Sequence, residues 1–181
     1  MEFKLVLEKL LGEFEQRGIR YALTGGFAMG LWGVGRVTVD IDFLVHRDDA
    51  DKVKAVMQQL GYECRYRSEN VAQYLSPLKI FGEIDYIFAF RPSSRKMLET
   101  AETKTIFNGD LSIRVLRPED LIAMKMQAIK NDPSRRENDL ADIRTLAEIN
   151  EKEMDFILMD QYVKLLDMEE LWNEILEELH K

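Results

Sequence analysis

The chain has 181 residues, 46% hydrophobic and 32% charged, with a formal net charge of −8. That describes one soluble globular domain, or one with an appendage, long enough to bury a core. No apolar run approaches a membrane span, the acidic amphipathic start over residues 1–16 has no secretory pattern, and the single Cys64 excludes an internal disulfide, so a cytoplasmic location is the expectation. Residues 151–181 hold ten acids against three bases, −7 of the total, which leaves about −1 for the rest and argues against direct binding of duplex nucleic acid.

Along the chain, Phe3, Leu5, Val6, Leu7, Leu10, Leu11 and Phe14 recur at helical spacing and predict a helix over 2–17, ended by Gly18. A short strand, Tyr21–Thr24, leads into Gly25–Gly26, and Gly26–Trp32 reads as a short helix stopped by the glycines at 33 and 35. A second strand is expected at Asp40–His46 and a helix at Asp48–Leu60, with Asp48, Asp49 and Asp51 near its N-terminus. Three β-like stretches follow, Tyr62–Arg67, Val71–Ser76 and Leu78–Phe90, the last long enough to hold a turn at Gly82. Pro92–Ala101 predicts a helix, and Thr103–Phe107 with Leu111–Leu116 flank Asn108-Gly109-Asp110, a hairpin signal. From Pro118 onward the pattern is helical, over 118–131, 134–149, 153–166 and 168–180. The reading is an α/β body over 1–117 and a helical C-terminal region over 118–181, packed on that body.

The chemistry concentrates in Leu23–Val45. Asp40 and Asp42 sit two apart in a strand, so they share a face, about 7 Å from each other. Carboxylates that close repel unless one protonates or a cation lies between them, and oxygen-only ligation favours a hard ion such as Mg²⁺, with Mn²⁺ as the alternative. Upstream, Gly25–Gly26 permits a tight bend and a close backbone approach, and a helix starting there would offer N–H groups to phosphate. A Gly pair or an Asp-x-Asp alone is common in turns and strand ends; in this order and context they point to phosphoryl or nucleotidyl transfer.

Such chemistry needs a further acid, to share a metal or to take a proton from the attacking hydroxyl. Asp85 in the stretch 81–90 is the candidate: Ile84, Tyr86 and Phe88 take one face of the strand, leaving Asp85 on the other with Glu83 and Ile87. A solvent-exposed face would explain Asp85 equally. In the helical region Lys125 sits among apolar residues, readable as a snorkelling surface lysine. Asp139 and Asp142 lie on one helix face near Arg135, Arg136 and Arg144, readable as a solvated set of ion pairs. His46 and His180 lack partners at zinc-ligand spacing.

At these residues the chain resembles the nucleotidyltransferase superfamily related to DNA polymerase β. The pattern is the Gly pair at 25–26, Asp40-Ile41-Asp42 after a spacer, and the third acid Asp85 on a later strand. The segment Arg36 to Asp42 is similar to small bacterial members, the minimal nucleotidyltransferases and the abortive-infection type toxins of toxin–antitoxin systems. Lys125–Ala128, Arg136 and Asp139–Asp142 match the order of the Lys-x-x-Ala and Asp-x-x-Asp helices in those toxins. The resemblance covers about residues 21–146. The bulky Phe27 departs from the small residue frequent after the Gly pair, and no separate tRNA-binding or polymerase-like domain is evident.

The resemblance implies an α/β fold whose mixed β-sheet is flanked by helices, with the acids on adjacent strands. It implies an enzyme moving NMP from an NTP to an unknown hydroxyl acceptor (small molecule, protein or RNA end) with release of pyrophosphate. Asp40 and Asp42 would hold Mg²⁺ with the triphosphate, and Asp85 would share a metal and help deprotonate the acceptor. Thr24, Gly25, Gly26, Thr38 and Asp139 would line the nucleotide site, and Arg36 and Lys125 would neutralise phosphate charge. The alternative is an inactive nucleotide-binding or toxin–antitoxin partner protein of the same fold. Leu158, Val163, Leu165, Leu166, Leu171, Ile175, Leu176 and Leu179 form apolar stripes that suit packing on the body, a homodimer or an antitoxin-type partner.

Overall fold

The computed structural model describes residues 1–35 and 37–179. Seven strands form one mixed sheet: β1 (Tyr21–Thr24), β2 (Asp40–His46), β3 (Glu63–Arg67), β4 (Val71–Leu75), β5 (Glu83–Ala89), β6 (Glu102–Ile106) and β7 (Leu111–Val115), in the order β3-β4-β5-β2-β1-β7-β6. Pairs β2/β5 and β1/β7 are parallel, and the others are antiparallel. The helices are α1 (Phe3–Arg17), α2 (Gly25–Leu31), α3 (Ala50–Gln59), α4 (Pro92–Thr100), α5 (Pro118–Asn131), α6 (Arg136–Asn150), α7 (Phe156–Leu166) and α8 (Glu169–Leu179). The chain divides into two compact units, Met1–Ala28 with Arg36–Leu116, and Met29–Gly35 with Arg117–Lys181.

In the first unit the alternation of apolar residues decides which face of the sheet is covered. Ile41, Phe43 and Val45 of β2 and Ile84, Tyr86 and Phe88 of β5 are buried on one face. Phe14 of α1 meets Phe43 and Tyr86 there, with ring centroids 5.4 and 6.4 Å away. Tyr86 stacks on Phe43 at 5.8 Å, and its hydroxyl donates to Met57 Sδ of α3 at 3.1 Å. Edge-on and offset aromatic contacts add to the area that they bury. With this face closed by α1 and α3, the even-numbered positions of β2 and the odd-numbered positions of β5 are left to the opposite face, where the candidate site lies.

Most element boundaries shift by one to three residues from the sequence expectation, and two of the differences have a structural cause. The helix expected from Asp48 begins as a 3₁₀ turn, Arg47–Asp49, and is α-helical only from Ala50. Asp49 is 2% exposed, and it accepts bonds from the backbone N and Nε of Arg20 at 3.1 and 2.8 Å while pairing with Lys52 at 2.9 Å. The carboxylate tethers this turn to the chain entering β1 instead of sitting in water. In the stretch 78–90 only Glu83–Ala89 is strand, because the residues before it form the connection that delivers β5 beside β2.

The second unit buries Leu121, Ile122, Met126 and Ile129 of α5 with Ile143 and Leu146 of α6, Met159 and Val163 of α7, and Trp172 and Ile175 of α8. α7 is fastened to the first turn of α5. The Asp155 N–H donates to Glu119 Oε1 at 2.6 Å, and the Tyr162 hydroxyl donates to Asp120 Oδ1 at 2.5 Å. Of the apolar stripe read in the sequence, Val163, Leu166, Leu171 and Ile175 are buried, whereas Leu165 is 65% exposed. Met159, Tyr162 and Trp172 take the inward positions instead. Among the described residues no helix is long and apolar enough to cross a membrane.

Candidate active site

Strand register gathers the candidate residues into a row. Thr24 of β1 lies opposite Asp42 of β2, Asp42 opposite Asp85 of β5, and Asp85 opposite Gln73 of β4. Directly paired residues point to the same face, with neighbouring strands about 5 Å apart. Asp40 stands two residues before Asp42 and is paired with Glu83. Sequence spacing could place Asp40 with Asp42; only the parallel pairing of β2 with β5, forty residues on, brings in Asp85. The hydroxyl of Thr38 donates to Asp40 Oδ1 at 2.7 Å, which holds one carboxylate oxygen of Asp40 toward the loop. Arg36 lies outside the described residues.

The Gly turn is built against this row. Gly25 leaves β1 at φ +66, a left-handed conformation that side chains disfavour, and starts α2. A Cβ at Gly25 would overlap Asp42, 1.9 Å from Oδ2 and 2.5 Å from Cγ. The backbone of the turn therefore touches the carboxylate, and only glycine allows it. Gly26 follows as the second residue of α2.

Asp85 is half-buried. Burial pushes its carboxyl up; a bond from Gln73 opposes this, while the negative charges of Glu83 and Asp40 push the same way. Gln73 Nε2 donates to Asp85 Oδ2 at 3.2 Å. The other oxygen, Oδ1, is buried and has no hydrogen-bond partner. A buried carboxylate oxygen left unbonded is costly, and coordination of a cation would remove that cost. The donors of the row are all oxygens, the set that a hard dication such as Mg²⁺ takes. Among the described residues no three Asp, Glu, His or Cys side chains converge closely enough to close around an ion by themselves. Mg²⁺ commonly needs only one or two carboxylates and completes its shell with water and substrate phosphates.

Lys125, Asp139 and Asp142 form a separate constellation inside the helical unit. Lys125 Nζ donates to Asp139 Oδ1 at 3.0 Å and Asp142 Oδ2 at 2.7 Å, and Arg135 Nε donates to Asp139 Oδ2 at 2.9 Å. Asp139 is 3% exposed. Burial would raise its carboxyl, but the bonds from Arg135 and Lys125 outweigh it and hold it below the ordinary range. The arrangement is a part-buried network bridging α5 and α6, and neither a snorkelling lysine nor a solvated helix face. Gln73 is the residue of the sheet site that sequence reasoning passed over, and Glu83, placed by the sequence on the face of Asp85, proves to lie opposite Asp40. Both signals are registers with Asp85 and Asp40, which a linear sequence does not display.

Comparison with known proteins follows this geometry. A sequence family described as uncharacterised nucleotidyltransferases matches residues 3–178. No curated protein matches the chain in sequence. Among solved structures, the chain is similar to the solution structure of antibiotic-resistance factor ANT(2″)-Ia, at 16% identity and a TM-score of 0.62, over 99% of this chain and 98% of that one. It is similar to the lincosamide antibiotic adenylyltransferase LnuA in its lincomycin-bound crystal structure, at 18% identity and a TM-score of 0.54, over 80% and 96%. It is also similar to an antigenic nucleotidyltransferase-like protein from Paracoccidioides brasiliensis, at 17% identity and a TM-score of 0.57, over 97% and 92%. At these identities the likeness is one of fold, the mixed-sheet nucleotidyltransferase fold.

Proposed function

This chain belongs to the uncharacterised nucleotidyltransferase family, and we propose that it is a Mg²⁺-dependent enzyme that moves NMP from an NTP to the hydroxyl of a small acceptor. The observation carrying the proposal is the row Thr24–Asp42–Asp85–Gln73 with Asp40 beside it and Gly25 pressed on Asp42. In the reaction the acceptor oxygen bonds to the α-phosphorus, the bond from that phosphorus to the bridging oxygen breaks, and pyrophosphate leaves. Asp40 and Asp42 would hold the metal and with it the triphosphate. Asp85 would share a metal through its unpartnered oxygen and help to deprotonate the acceptor hydroxyl. Gly25 and Gly26 would admit a phosphate close to the backbone, and Thr24 and Thr38 would fix the two strand acids. When bound, the metal supplies positive charge to the phosphate oxygens as charge builds in the transition state. Arg36, Lys125 and Asp139 enter the proposal through sequence order alone, as phosphate- and nucleotide-binding residues.

A small hydroxylated acceptor suits the chain better than a nucleic acid. The net charge of −8 repels a phosphate backbone, and two proteins of similar fold are named for antibiotic resistance or adenylylation of an antibiotic. The test is incubation with Mg²⁺ and each α-³²P-labelled NTP, with and without a metabolite extract, beside Asp42→Ala. Label transferred to a small molecule by the intact protein alone supports the reading. Transfer that survives Asp42→Ala overturns the metal site, and NTP binding without transfer identifies a binding protein of the same fold.

A further inference from the structure

Gln73 has no part in the pattern that marks this family in the sequence, and it carries no charge. Yet the strand register makes it the direct neighbour of Asp85 on the side away from Asp42. Its amide nitrogen donates to Asp85 Oδ2 at 3.2 Å. The consequence falls on the other oxygen. A carboxylate rotates about its Cβ–Cγ bond and can exchange its two oxygens or turn both toward a polar neighbour. With Oδ2 held by β4, Oδ1 is the oxygen left over, and it is buried without a hydrogen-bond partner. Gln73 sits on a hydrogen-bonded strand, and its ladder partner is Asp85 itself, so the donor is placed by the sheet and not by a loop.

We infer that Gln73 is a positioning residue for nucleotidyl transfer: its amide fixes Asp85 with Oδ2 occupied and Oδ1 presented to a divalent cation. The inference rests on the reading of Asp40, Asp42 and Asp85 as the metal-binding acids. Gln73 touches neither substrate nor metal; it acts by limiting the orientations of a ligand. An outer partner of this kind, when removed, typically lowers metal affinity or activity on the order of 10- to 100-fold. An amide is the fitting group for the position. A lysine or arginine there would compete with the cation for the carboxylate, and a glutamate would add a fifth acid to a face that already holds Asp40, Asp42, Asp85 and Glu83.

The test compares Gln73→Met, which keeps the length of the side chain and removes the donor, with Gln73→Ala, which also removes its bulk. The primary readout is Mn²⁺ binding followed by electron paramagnetic resonance in the presence of an α,β-methylene ATP analogue, and it needs no acceptor. Hydrolysis of labelled ATP to AMP and pyrophosphate, with water as acceptor, is the second, and thermal unfolding checks the fold. Both variants are expected to bind Mn²⁺ at least about tenfold more weakly and to lose kcat with little change in KM for ATP, while unfolding as the native protein does. If Gln73→Met binds Mn²⁺ as the native protein does, the inference fails, and a loss confined to Gln73→Ala assigns the residue to packing. Asp85→Ala run in parallel separates the two readings. Native Mn²⁺ binding in that variant removes the metal-site reading itself, whereas lost binding with an unaffected Gln73→Met removes only the role of Gln73.

Discussion

A Cβ placed on Gly25 would stand 1.9 Å from Oδ2 of Asp42 and 2.8 Å from its Cβ. Turning the carboxylate aside would not clear the overlap, because the Cβ of Asp42 is fixed by the strand. The glycine and the acid stand at positions 25 and 42 of the sequence, in two separate motifs; in the fold they are one object, a turn whose backbone lies on a carboxylate of the candidate site.

Gly25→Ala is therefore expected to damage both the turn and the acid. The left-handed conformation alone costs a side chain about 1–2 kcal/mol, and the overlap adds displacement of Asp42. Loss of NTP turnover should exceed the loss of stability, with activity down at least a hundredfold while most of the protein remains folded at 25 °C. Gly30→Ala is the control. That glycine is exposed in the same helix, a Cβ there meets nothing within 4 Å, and the change should leave activity intact and stabilise by roughly 0.5–1 kcal/mol. Thermal unfolding and turnover of labelled NTP measure both, and native activity in Gly25→Ala would show that the turn does not constrain Asp42.

Lys125 is expected to behave first as a structural cation. Removing it leaves Asp139 with Arg135 alone and takes from Asp142 a partner 2.7 Å away. Breaking one partner out of a buried ion network costs about 3–5 kcal/mol, and less where water reaches it; Lys125→Met is expected to lose about 2–3 kcal/mol in urea unfolding. Lys125→Met combined with Asp142→Asn removes one charge of each sign and should recover part of that loss. If NTP affinity recovers along with stability, Lys125 acts only through the helices. If affinity stays low in the recovered double variant, the lysine contributes charge to the nucleotide.

The limits of sequence reading are visible in particular residues. β2 was legible to the residue, because Asp40–His46 alternates polar and apolar side chains until both faces become buried at Leu44 and Val45. Asp85 was found from its place among Ile84, Tyr86 and Phe88, which fixed its face. Gln73 was invisible, because a polar residue in a five-residue strand has no local mark that says which partner lies opposite. The pairing of Lys125 with Asp139 was likewise hidden: thirteen residues of intervening helix and turn conceal a 3.0 Å ion pair. The exposure of Leu165 has a related cause. The apolar period of α7 is carried by Met159, Tyr162, Val163 and Leu166, and the hydroxyl of the buried Tyr162 finds Asp120. Local periodicity encodes faces; pairing between distant segments encodes sites.

Asp49 gives a prediction in which the sign of the pH dependence can be worked out. Burial would raise its carboxyl, but the side-chain bonds from Arg20 and Lys52 and the backbone N–H of Arg20 prevail and hold it at about 2, against an ordinary 3.8. A depressed folded value means that the charged form favours the fold. The stabilisation is complete above the ordinary value and disappears as pH falls toward about 2. The shift corresponds to roughly 2 kcal/mol, reduced toward 1 because Arg20 is half exposed and screened by solvent. Asp49→Asn keeps the shape and removes the charge, leaving Arg20 and Lys52 without their anion. Urea unfolding of the variant and the native protein should differ by roughly 1–2 kcal/mol at pH 7, and the gap should narrow to less than half as both are taken to pH 2.5. A gap that stays constant across that range would mean that the turn at Arg47–Asp49 is held by shape and backbone bonds, and that the carboxylate charge adds nothing to the junction with β1.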